Sequence, residues 1–180
     1  MSREQQGKGG ALNIGMLMTI LFTVILIVVF TAFCGILAFV APGLSKTMLT
    51  EKARNDAQIP DADRGQKIKG YSLYALAGGC FIAIIIWAGI DGVHSGMTWW
   101  MLWIRFAVIF LILELYDDLF LDWFVFTKTG FFGFWISKVN GKEPHVRNTE
   151  PQWDGKEKMK LIAVPFGTLL LALIFIWLVK

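Results

Sequence analysis

Four carboxylates, Glu114, Asp117, Asp118 and Asp122, close a segment that begins as a hydrophobic helix. At 3.6 residues per turn, and with Glu114 at zero, they fall at roughly 0°, 300°, 40° and 80°. One broad face carries them all. Like charges at i, i+4 repel, and negative charge near a helix C-terminus opposes the macrodipole, so the stripe demands a compensating cation. An oxygen-rich set of this kind suits a hard divalent ion, Mg²⁺, Mn²⁺ or Ca²⁺, or a protonatable relay. Lys67, Lys69, Lys128, Lys156, Lys158 and Lys160 offer the other solution, an ion-pair network that fixes the loops around the stripe. Both readings stand at this point.

A second set of chemical groups follows in His145, Arg147, Glu150 and Asp154. A neutral imidazole beside carboxylates binds metal or shuttles protons, while a lone loop histidine is more often simply solvated. His94 invites the same two readings. Neither HExxH, GxSxG nor a Walker A sequence is present, so zinc-hydrolase, nucleophile-elbow and phosphate-loop chemistry have no sequence support. Cys34 and Cys80 form no CxxC and sit in apolar surroundings, where cysteine serves as a small hydrophobe.

These groups must be positioned by membrane helices. The 180-residue chain is 56% hydrophobic, 14% aromatic and only 17% charged, outside the usual composition of a soluble domain. Apolar runs at about residues 12–40, 71–90 and 161–179 each approach or exceed the ~20 residues that cross a bilayer. Residues 98–120 supply a fourth span whose apolar part is short, so its carboxylates begin within or just beneath the headgroup zone. The first run is about twice the length of a signal-peptide core and is expected to remain as an anchor. The expected fold is all-α, a polytopic membrane protein with four transmembrane helices in a bundle, forming one integral domain over residues 1–180.

Charge sets the expected topology. Of 17 Lys and Arg residues, six lie in 42–70 and seven in 128–160, and none lies in 91–97. The positive-inside rule therefore places both long loops in the cytoplasm and both termini outside, in a multi-pass cell-membrane protein. Trp99, Trp100 and Trp103 mark the outer interface. The net charge of +3 comes from these loops and requires no nucleic-acid partner. Arg105 is the one charge deep in the third span. It stands ~13 Å from Glu114 and on the opposite face of the helix, so it is expected to snorkel outward toward Asp91 or His94.

Connecting segments read more simply. The first ten residues, with Gly7, Gly9 and Gly10, are expected to be a flexible tail, and Ala41-Pro42-Gly43 ends the first span. Residues 46–58 suit a short surface helix before Pro60, and Phe131, Phe132, Phe134 and Trp135 suit the inner interface. Ala75, Gly78 and Gly79 form a small-residue patch that permits close helix approach.

Tyr116-Asp117-Asp118, Asp122-Trp123 and Asn148-Thr149-Glu150 are similar to features of a group of small bacterial four-span membrane proteins. That group shows a DxxxDW-like end to the third span, a basic cytoplasmic loop and a TE-containing patch before the last span. The resemblance covers about residues 105–180 and implies an inner-membrane organisation, with the stripe and the Glu150 patch together, but no activity. The loop around Phe131 departs from the pattern in being more aromatic than basic. The leading expectation is an accessory or interaction protein without enzymatic chemistry, bound to the lipid bilayer and to a membrane-protein partner or a second copy of itself. Two alternatives belong to other classes. One is a cation- or proton-coupled transporter or channel subunit using the four acids. The other is an enzyme acting on lipid headgroups, with a divalent cation on Glu114, Asp117, Asp118 and Asp122 and with His145 as acid or base.

Overall fold

The computed structural model describes residues 3–45, 47, 61–128 and 155–179, without the side chains of 3–14, 122, 123, 126–128 and 155–158. Every described element is helical. Helix α1 spans Arg3–Val40, a short α2 spans Pro42–Ser45, α3 spans Arg64–His94 and α4 spans Trp99–Leu115. The chain then continues as a π-helix over Tyr116–Lys128, and α5 spans Gly155–Val179. Among the described residues, three stretches are long and apolar enough to cross a membrane: Gly15–Val40, Arg64–His94 and Met159–Val179. At 17 residues, α4 rises only ~26 Å, which agrees with the short apolar part read from its sequence.

The helices extend beyond the apolar runs, and local bonding explains where they stop. Asp63 caps α3, its Oδ1 accepting from the Gln66 backbone N–H at 2.7 Å. The Gln66 side chain reaches instead to the Gly43 N–H at 3.1 Å, tying the start of α3 to α2. At the other end of α3, Gly96 N–H donates to Val93 O and Met97 N–H to Gly92 O, each at 3.0 Å. This is a Schellman closure, and its left-handed position is filled by Gly96 at φ +73°. Asp91 to His94, beyond the apolar run at 71–90, therefore complete the helix. The backbone from Arg3 onward is also helical, where a flexible tail was expected, because the strong helix of the following apolar run propagates through Gly7, Gly9 and Gly10.

Packing separates the chain into two compact units. The first comprises Met1–Val28, Cys80–Leu113 and Gly155–Lys180, and the second Val29–Gly79 and Glu114–Asp154. In the first unit, Phe22 and Leu26 of α1, Ala88 of α3, Leu102, Phe106 and Ile109 of α4, and Ala172 and Phe175 of α5 share one buried core. All four long helices contribute to it. Phe106 and Phe175 lie 5.6 Å apart by ring centroid, and Phe175 sits directly against Gly89, where any side chain would displace it. Trp103 Nε1 donates to Pro165 O at 2.9 Å, linking α4 to the one proline inside α5.

In the second unit Phe33, Cys34, Leu37, Ala38 and Ala41 form a buried stripe along α1, joined by Leu121 of the π-helix. Tyr74 stands edge-on to Phe33 at 4.9 Å. The small-residue patch of α3 takes no part in close packing: a Cβ built at Gly78 or Gly79 meets nothing within 4 Å. Close approach occurs at Gly92, where a Cβ would lie 2.6 Å from Leu102 Cδ1 and 3.0 Å from Arg105 Nη1. The outward faces of the helices are strongly apolar, with Met16, Leu76, Ile162, Phe166 and Trp177 all exposed. Such continuous apolar faces are the mark of a lipid-contacting surface.

Candidate functional site

The acidic stripe begins at the last turn of α4 and runs into the π-helix. Glu114, Asp117 and Asp118 are half-buried in the second unit, and each makes a polar or electrostatic contact. The Oδ2 atom of Asp118 is shielded from solvent. Tyr116 is anchored by a 2.8 Å hydrogen bond between its hydroxyl and Thr31 Oγ1 of α1. Tyr116 and Phe120 stack at 5.1 Å, and Phe120 and Phe124 at 5.7 Å, so an aromatic ladder accompanies the carboxylates. Leu119, Phe120 and Phe124 are exposed.

The winding changes how the acids align. A π-helix closes i→i+5 bonds, so it is the backbone of Asp117 and Asp122 that comes into register on successive turns, not Asp118 and Asp122 as an α-helix would have it. Among the described residues, no three His, Cys, Asp or Glu side chains are grouped so as to hold a metal ion. The side chain of Asp122 lies outside the described residues, as do His145, Arg147, Glu150 and Asp154 and the aromatic segment 131–135. Of the basic residues expected to compensate the stripe, Lys67 and Lys69 are exposed on the first turns of α3, and Lys160 is exposed on α5.

The first unit contains a polar centre of a different kind. Arg105 is buried, 2% exposed, in the second turn of α4, whereas the sequence suggested that it would snorkel to the surface. Its Nε donates to Thr19 Oγ1 at 3.1 Å, its Nη1 to Ala88 O at 2.9 Å and its Nη2 to Gly15 O at 3.4 Å. Its Nη2 also lies 2.8 Å from Asp91 Oδ2, as an ion pair whose angles fall outside those of a hydrogen bond. The guanidinium carbon stands 5.4 Å from the Phe22 ring centre, a cation–π contact. Thr19 Oγ1 in turn donates to Gly15 O at 2.8 Å.

A buried charge is expensive unless it is paired and its donors are satisfied. Here α1 and α3 both supply partners to the guanidinium carried by α4. Asp91 was legible as a partner because it is the nearest carboxylate at the same end of the adjoining span. Gly15, Thr19 and Phe22 were not, since nothing in their types sets them apart from the rest of an apolar run.

The chain matches no protein-family model, no curated protein and no solved structure. The similarity to the small four-span group thus rests on the residues quoted for it.

Proposed function

We propose that this chain is a four-span membrane protein that acts as an accessory or interaction subunit, docking a basic partner segment through Glu114–Asp122 at the cytoplasmic interface. In this reading the segments 42–70 and 128–160 are cytoplasmic and both termini are outside, and α4 with its π-wound extension is the third span. Support for a fourth embedded helix comes from Leu102, Phe106 and Ile109, which share the core with α1, α3 and α5.

The observation that carries the docking reading is the union of two features on one segment. Half-buried carboxylates at Glu114, Asp117 and Asp118 stand beside an exposed ladder of Phe120 and Phe124. Carboxylates favour a cationic partner, and exposed aromatic rings add apolar and cation–π contact to lysine or arginine. A basic amphipathic helix meets both requirements.

Two experiments test this reading. In sealed vesicles of known orientation, single cysteines at Lys67 and Ser95 should react with an impermeant maleimide from opposite sides, and labelling from one side would remove the topology. Binding of a fluorescent Lys/Leu amphipathic peptide to protein in neutral nanodiscs should weaken at least tenfold in Glu114→Gln/Asp118→Asn. Equal binding by this variant would remove the docking site.

A further inference from the structure

The first turns of α3 have one packed side and one bare side. With Arg64 at zero, Gln66, Gly70, Leu73 and Ala77 fall between roughly 180° and 240° around the helix. This is the packed side. Gln66 Oε1 accepts from the Gly43 N–H at 3.1 Å, Gly70 lies directly against Leu44 and Ala41, and Leu73 and Ala77 pack against the core that the α1 stripe forms. Ile68 and Tyr71 fall within roughly 40° of Arg64, on the side away from that core, and are 60% and 61% exposed. Arg64, Lys67 and Lys69 are exposed as well, with the two lysines flanking the line from Arg64 to Tyr71.

Three cations within six residues repel one another, and among the described residues none of them has a partner for its charge. The neighbouring carboxylates do not serve. Asp63 turns its Oδ1 to the Gln66 N–H at 2.7 Å as the helix cap, and Asp61 makes a contact of its own. The tie from Gln66 to Gly43 fixes the packed side, and so holds the basic side outward.

Charge alone would suit any anion, but the same bare face turns apolar within one helical turn. The apolar stretch long enough to cross a membrane starts at Arg64 itself, so the cations stand where the span meets water and Ile68 and Tyr71 stand just inside it. A soluble anion would neutralise the cations and leave Ile68 and Tyr71 bare. A phospholipid covers both, with its phosphate among the cations and its chains along the apolar side chains. Tyrosine suits this depth, its ring in hydrocarbon and its hydroxyl at headgroup level, and lysine and arginine reach phosphate along their own alkyl stems.

We propose that Arg64, Lys67 and Lys69, with Ile68 and Tyr71 beneath them, form a docking site for an anionic phospholipid on the bare face of α3. The site is separate from Glu114–Asp122 and stands whether or not a partner docks there.

The test reads which lipid lies against this face. A bimane fluorophore is placed at Ser72→Cys, exposed beside Tyr71, and for reference at Leu170→Cys, exposed on α5, each in a Cys34→Ser/Cys80→Ser background. Nanodiscs of phosphatidylglycerol and phosphatidylcholine carry quenching bromines on the chains of one lipid or the other. At residue 72, phosphatidylglycerol should quench as though enriched at least tenfold over its share of the bilayer, and high salt should reduce the enrichment. Each cation near anionic lipid contributes about fivefold, so Arg64→Gln/Lys67→Gln/Lys69→Gln should return the ratio to that of the bulk. All three side chains are exposed and unpaired among the described residues, so this variant should keep its unfolding temperature. Equal quenching by the two lipids at residue 72, or the same preference at residue 170, would overturn the site. Loss of the preference in millimolar inorganic phosphate would overturn it in favour of a soluble anion. A preference unchanged in the triple variant would also overturn it, and dissociation of a dimer by that variant would then assign the cations to contact with a second copy of the chain.

Discussion

Arg105 of α4 and Asp91 of α3 meet at 2.8 Å, with the arginine side chain 1% exposed and the aspartate 21% exposed. The pair is lopsided in its access to water, and that sets the order of mutational effects. Loss of Asp91 strands a buried cation, whereas loss of Arg105 leaves a carboxylate that water can still reach. Asp91→Ala should therefore cost about 3 kcal/mol or more, and Arg105→Met distinctly less. The double variant should be more stable than the sum of the two losses, read from unfolding in detergent. Additive losses would mean that Arg105 is held by Ala88, Gly15 and Thr19 without its ion pair.

Gly92 permits the approach of α4 that brings Arg105 inward. Gly92→Ala places a methyl group 2.6 Å from Leu102 and 3.0 Å from the guanidinium. Overpacking of this kind costs about 1–3 kcal/mol. Gly78→Ala, with nothing within 4 Å, should be neutral or slightly stabilising through helix propensity. Thermal unfolding of the two variants side by side checks the contrast.

The Trp103 indole donates to Pro165 O, which also accepts from Thr168 Oγ1 at 3.1 Å. Trp103→Phe removes one donor but leaves that carbonyl partnered. The expected cost is about 0.5–1 kcal/mol, the low end for a lost hydrogen bond, and an aromatic ring still fills the site. A loss above about 2 kcal/mol would show that the indole also locks the α4–α5 packing.

Tyr116→Phe tests the anchor at the head of the π-helix. It deletes the 2.8 Å bond to Thr31 and keeps the stacking on Phe120. Stability should fall by about 1 kcal/mol, with faster amide exchange confined to residues that follow Tyr116.

The helical class and the approximate spans were legible because a bilayer leaves few alternatives to long apolar helices. The apolar runs at 12–40, 71–90 and 161–179 lie inside α1, α3 and α5. Helix ends were less legible, since Gly96 closes α3 through backbone bonds that a charge-based topology does not register. The π-winding could not be read at all. Leu119, Phe120, Trp123 and Phe124 spell an α-helical stripe, and only burial of Leu121 beside Phe33 and Leu37 selects the other register. Hydrophobic spacing reports the local preference, and tertiary packing overrides it here.

In the docking reading the acidic segment receives a basic partner. The most direct measurement is the thermal stability of the purified protein, native and Asp118→Asn/Asp122→Asn, titrated with a Lys/Leu amphipathic peptide and separately with Mg²⁺, Mn²⁺ and Ca²⁺. Docking entails saturable stabilisation of the native protein by the peptide, absent from the double variant, with no selectivity among the three ions. Ion-selective stabilisation lost in the double variant would contradict it in favour of a metal site. A large loss of stability in that variant with no response of the native protein to peptide or ion would contradict it in favour of an internal ion-pair network.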